Sequence, residues 1–129
     1  MKKIAVLSSI VLLILFSSFS FPSRSKYVYA FGVATSFADS LVYFTNVQQL
    51  DSAKITDGLL KNRPAYTYQM KNYFDSLKIE NRVCMIYYSS SKAVLEKKFK
   101  QISSRAIRKG GYFQIIDPKD FRFKKVHND

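Results

Sequence analysis

One histidine, one cysteine and nine acidic side chains are what this chain offers for acid–base, nucleophilic or metal chemistry, and their spacing assembles no site. His127 lies within the last three residues, where nothing would hold an imidazole in place. A Ser-His-acid or Cys-His arrangement needs a base fixed against its nucleophile, and a terminal tail does not fix one. Asp117 and Asp120 are the closest acidic pair, and they bracket Pro118. That spacing is turn chemistry before it is a general acid–base pair. With one Cys and one His there is no zinc-type ligand spacing, and the glycines at 32, 58, 110 and 111 make no phosphate-cradling loop. No catalytic residue, metal or cofactor is therefore expected. An enzyme would need residue types outside these patterns.

Three stretches could instead bind. Ser89, Ser90 and Ser91 fall where a strand gives way to a helix, and backbone amides at such an edge can hold an anion. Ordinary helix capping explains the same serines without a ligand. Residues 108–115, RKGGYFQI, share composition with the RNA-binding strand that stacks bases on aromatics; a glycine helix cap followed by a core strand is the simpler reading. The best candidate is the basic helix that follows Ser91. Leu95, Phe99, Ile102 and Ala106 make one apolar stripe, and Lys97, Lys98, Lys100, Arg105, Arg108 and Lys109 crowd the remaining surface. The stripe is narrow and needed for the core, so electrostatic contact with an anionic partner is expected rather than insertion into lipid. Glu96 and Lys100 are the obvious supporting pair expected at i, i+4.

The elements that must position these residues follow from hydrophobic periodicity. Residues 26–37 alternate, with Tyr27, Tyr29, Phe31 and Val33 on one side and Val28, Ala30, Gly32 and Ala34 on the other, a half-buried strand with one bulky and one small face. Gly32 marks a bulge or a close approach by another segment. A turn at 38–40 leads to a second strand over 41–47 and hence a hairpin. Residues 48–63 are polar and read as a long loop with one helical turn. From Pro64 to about Lys78, the spacing of Tyr66, Met70, Tyr73, Phe74 and Leu77 predicts a helix. Residues 83–88 are apolar on both faces, as a central strand would be. The basic helix, Gly110 as its left-handed cap, a strand over 112–116 and a short edge strand at 121–123 complete the chain. The expected fold is α+β: a two-layer sandwich in the order ββαβαβ, with a mixed sheet of four to five strands and both helices on one face.

Charge and the N-terminus supply the setting. Lys2 and Lys3 precede an apolar run over 4–16, and Ser18 and Ser20 stand at the −3 and −1 spacing of an export cleavage site. The reading is a signal peptide at 1–20 cut after Ser20, a single domain over 21–126 and a frayed tail at 127–129. The alternative is an uncut N-terminal anchor. Cleavage leaves 19 basic against 9 acidic side chains, about +10. The excess is uneven: residues 21–81 carry +2 and residues 82–129 carry +8. Such polarity suits an anionic envelope component or an acidic protein. Cys84, the sole cysteine, can form no disulfide within the chain and is expected to be buried and inert.

YAFGV at 29–33 through DSLVYFT at 39–45, YQMKNYF at 68–74, VC at 83–84 with AVLEKKF at 93–99, and DFRF at 120–123 together make the chain resemble small exported, periplasmic proteins of Bacteroidetes-type bacteria. Those proteins have no established activity. The resemblance implies an exported location, periplasmic or extracellular, and carries over no catalytic residue. Nucleic acid is an unsuitable partner for a chain that leaves the cytoplasm. The expectation is a non-enzymatic envelope binding module using the cationic helix face. The alternative is a small enzyme or ligand-binding protein with its site at residues 89–91.

Overall fold

The structure, a computed structural model, describes residues 27–127. The expected signal peptide at 1–20, its cut after Ser20 and the last two residues of the tail lie outside the described residues. The alternating β1 (Val28–Thr35) is the middle of a mixed sheet. On one side it pairs antiparallel with β2 (Leu41–Thr45) and then β3 (Gln48–Leu50), two segments interrupted at Asn46 and Val47. Between them the Gly32 N–H donates to the buried Thr45 hydroxyl at 2.8 Å, where a continuous ladder would offer a carbonyl. A two-residue Asp57-Gly58 turn, both at positive φ, joins the short strands β4 (Ile55–Thr56) and β5 (Leu59–Leu60) into a separate hairpin. Next come α1 (Arg63–Ser76), β6 (Val83–Ser89), α2 (Lys92–Arg108) and β7 (Tyr112–Ile116). β6 runs antiparallel to β1 along its whole length, and β7 runs parallel to β2 at the opposite edge. Crossing from β6 to β7 through α2 therefore spans the sheet, with β1 and β2 lying between two strands of the same direction.

The α+β class, the mixed sheet and the two helices are as expected, but the helices cover opposite faces rather than one. Val28, Ala30 and Ala34 of β1 pack with Tyr66, Met70 and Phe74 of α1, while Phe31 and Val33 pack with Leu95, Phe99 and Ile102 of α2. The small face of β1 is buried, not the solvent side of a half-buried strand. Its smallness instead lets α1 approach: a Cβ at Gly32 would lie 2.2 Å from Met70 Sδ and 3.3 Å from Phe123 Cζ. Gly32→Ala is expected to cost about 1–3 kcal/mol, because Met70 is itself buried and has little room to yield. Urea unfolding reads this, and an unchanged midpoint would show that α1 moves freely.

Three further expectations change. The polar stretch at 48–63 holds β3 and the β4–β5 hairpin rather than a loop with a helical turn. β6 is an edge strand, not a central one: among the described strands it pairs only with β1, leaving Val83 45% and Met85 39% exposed. Residues 121–123 form no strand. Phe121 and Phe123 are nevertheless buried, because two glutamine side chains hold their backbone as a neighbouring strand would. Gln48 donates from Nε2 to the Phe121 carbonyl (3.2 Å) and accepts the Phe123 N–H at Oε1 (2.9 Å). Gln69 on α1 does the same for both backbone groups of Lys124, at 2.9 and 2.8 Å. Gln48→Leu keeps the volume but strands two buried backbone groups, for an expected loss of about 1–3 kcal/mol and weaker hydrogen-exchange protection of the Phe123 amide. Beyond this clasp Val126 also packs against the core, and His127 is exposed.

Candidate functional site

Local chemistry builds α2. Ser91 takes an extended backbone and its Oγ accepts the Val94 N–H at 3.3 Å, the N-cap expected from sequence. Gly110, at φ 76°, ends the helix, and Arg105 and Arg108 in the last turn complement its negative pole. The buried stripe settles between β6 and β7, with Phe99 set edge-on to both Phe31 (5.2 Å) and Phe44 (5.3 Å). That use of the apolar side turns all six candidate cations outward, and each is exposed.

They do not form a single cluster. By helical spacing, Lys97 and Arg108 lie on the crest. Lys98, Arg105 and Lys109, seven and eleven residues apart, share the flank that overhangs β6. Lys100 lies on the other flank. There, with Lys92, Glu96 and Phe99, it borders a cleft of about 360 Å³ closed by Val47 and Ile115. Glu96 and Lys100 do not form the expected ion pair. Among the described residues the one ion pair joins Arg82 to Asp39, leaving the α2 cations without a carboxylate within 4.0 Å.

Arg82 had no sequence signal beyond its charge, yet it is the most constrained cation described. Its side chain is 5% exposed. Nη2 contacts both Asp39 oxygens (2.9 and 3.1 Å), Nη1 donates to the Leu41 carbonyl, and the guanidinium lies 5.0 Å from the centre of the Tyr43 ring. It latches the β1–β2 turn to the start of β6, a structural role.

The competing sites are occupied by local structure. Ser89 Oγ accepts the Ser91 N–H at 3.0 Å, so the hydroxyl oxygens of both Ser89 and Ser91 already serve the strand-to-helix turn. Asp117 Oδ1 accepts the Lys119 N–H at 2.8 Å, and its carbonyl accepts from Asp120 and Phe121, which makes Asp117 a turn residue. Of the two aromatics in the 108–115 stretch, Phe113 lies under α2 edge-on to Phe44, whereas Tyr112 is exposed. Among the described residues no three His, Cys, Asp or Glu side chains gather as metal ligands, and no helix is long and apolar enough to cross a membrane.

Cys84 is half-buried rather than fully enclosed. Burial pushes its thiol up from the usual value, Asp75 adds to this, and Lys71 and Arg82 oppose it. A raised pKa leaves less thiolate near neutrality, so alkylation by iodoacetamide is expected to be slower than for an unstructured cysteine peptide. The rate-against-pH curve should be displaced upward, whereas one displaced downward would mean that the two cations dominate.

The fold thus defines an α+β protein in which a mixed sheet carries one helix on each face. No family model, curated protein or solved structure matches the chain.

Proposed function

We propose that the chain is an exported, non-enzymatic binding module of a bacterial envelope, periplasmic or extracellular, that holds an anionic envelope component or acidic protein against the outer side of α2. One observation carries this reading: Lys97, Lys98, Lys100, Arg105, Arg108 and Lys109 are all exposed on a helix whose apolar side is already used by the core, and no described carboxylate pairs with them. The uneven charge, +8 over residues 82–129, supports it by concentrating positive potential on the half of the chain that contains α2. The resemblance to small exported proteins supports the location.

Cosedimentation tests the binding. The protein is expected to pellet with vesicles containing phosphatidylglycerol, or to be retained by immobilised polyglutamate, at low ionic strength. Release should follow as salt shortens the screening length from about 10 Å at 0.1 M to about 3 Å at 1 M. Indifference to both probes at low salt would remove the proposal. Export is tested separately by fractionation, where an intact chain residing in the cytosol would contradict it.

A further inference from the structure

The register of the sheet determines which backbone groups of β6 have no partner among the described residues. In a β-strand the N–H and C=O of one residue point to the same side, and those of the next residue to the other. The Gly32 N–H points to Thr45, away from β6, so Gly32 and its partner Ile86 face each other without exchanging hydrogen bonds. The N–H and C=O of Ile86 are therefore directed off the sheet. By alternation the same holds for Cys84 and Tyr88, while Met85 and Tyr87 bond to Val33 and Phe31. β6 thus presents three outward donor–acceptor pairs in a strand with no proline and no charged residue, the devices that usually blunt an edge.

What lies beside that edge is cationic. A groove of about 420 Å³ runs between β6 at Tyr87, Tyr88 and Ser89 and α2 at Val94, Lys97 and Lys98. Arg105 and Lys109 continue the same flank, roughly 10 and 16 Å further along the helix. An added strand advances about 3.3 Å per residue, so these positions correspond to some three and five residues of extended chain, within reach of flexible basic side chains.

We propose that the outer edge of β6 accepts an extended acidic segment of a partner protein as an additional strand, its carboxylates directed to the Lys98–Arg105 flank of α2. This rests on the cationic-face reading and names its partner class. Backbone pairing supplies the ordering, and alternate side chains supply the recognition. A second copy of this chain is the poorer occupant, because pairing β6 with β6 would bring two cationic flanks together on molecules of the same high positive charge.

The probe is a capped, fluorescein-labelled peptide of alternating glutamate and valine, with two isomers N-methylated on only the valines or only the glutamates. With glutamates on the α2 side, an antiparallel added strand uses the valine N–H groups toward β6, and a parallel one uses the glutamate N–H groups. One isomer is therefore expected to bind at least about tenfold more weakly than the other, and the parent peptide should slow hydrogen exchange at the Cys84, Ile86 and Tyr88 amides. Equal binding of the two isomers overturns strand addition while leaving an electrostatic face in place. Failure of the parent peptide to bind at low salt, under conditions where polyglutamate or anionic vesicles bind, overturns strand addition alone; failure of all three probes removes both readings. Concentration-dependent dimerisation that protects the same amides without peptide overturns the assignment of the occupant.

Discussion

Phe31→Ala is expected to lower the stability of the domain by about 3–5 kcal/mol. The ring is fully buried at the middle of β1. It stacks on Tyr87 of the edge strand (centroids 5.1 Å apart, 18° between planes) and meets Phe99 of α2 edge-on. Truncation removes the transfer energy of a phenyl group, opens a cavity and releases two aromatic contacts together. Small domains have only about 5–15 kcal/mol in total, so this substitution takes a large share. Because Phe99 also contacts Phe44, the loss falls on the cluster that seats α2. Urea titration should show a lower midpoint with an unchanged slope. A cost below about 1 kcal/mol would mean that α2 is not held by this cluster.

Reversing three charges on the crest and the β6 flank of α2, by Lys97→Glu, Lys98→Glu and Arg105→Glu, is expected to weaken binding to polyglutamate about a hundredfold at low salt. Each exposed contact contributes about 0.5 kcal/mol, and reversal replaces it with a repulsion of similar size, so three such changes come to about 3 kcal/mol. The comparison that gives this meaning is an equal change of net charge elsewhere, by Lys61→Glu, Lys119→Glu and Lys125→Glu, all exposed and none on α2. That variant should lose far less, since screening confines exposed charges to about a Debye length. Equal losses would reduce the effect to overall charge. Arg105→Glu also removes a favourable interaction with the helix terminus, so unfolding midpoints must accompany the affinities.

The elements with strong periodicity were legible in the sequence. The alternation of β1, the 3.6-residue spacing of α1, the Ser91 cap and Gly110 placed those elements within two or three residues. What failed was tertiary. Gly32 signals a bulge or a close approach, but no local pattern says that the approaching segment is α1, with Met70 filling the space. The apolar run in β6 indicated burial on two faces, but Ile86 alone of its residues is buried, with Tyr87 and Tyr88 partly covered and Val83 and Met85 exposed. It said nothing of lateral neighbours, and an edge strand between two helices reads like a central one. The Asp57-Gly58 hairpin was visible as a turn dipeptide and passed over amid polar residues. Gln48 and Gln69 left no signal, because a glutamine substituting for a strand looks like any surface polar residue. The six cations of the candidate face were legible by composition. Their division between crest and flanks, and the open backbone beside one of them, emerge only from register.

Where an anion lands is the most direct measure. Backbone amide NMR spectra of the protein, titrated with polyglutamate at low salt, should show shifts confined to the outer turns of α2 and to β6, saturating together and vanishing as salt is added. Shifts centred instead on the basic residues between Lys119 and Lys125, or spread evenly over every lysine and arginine, would contradict a binding face on α2.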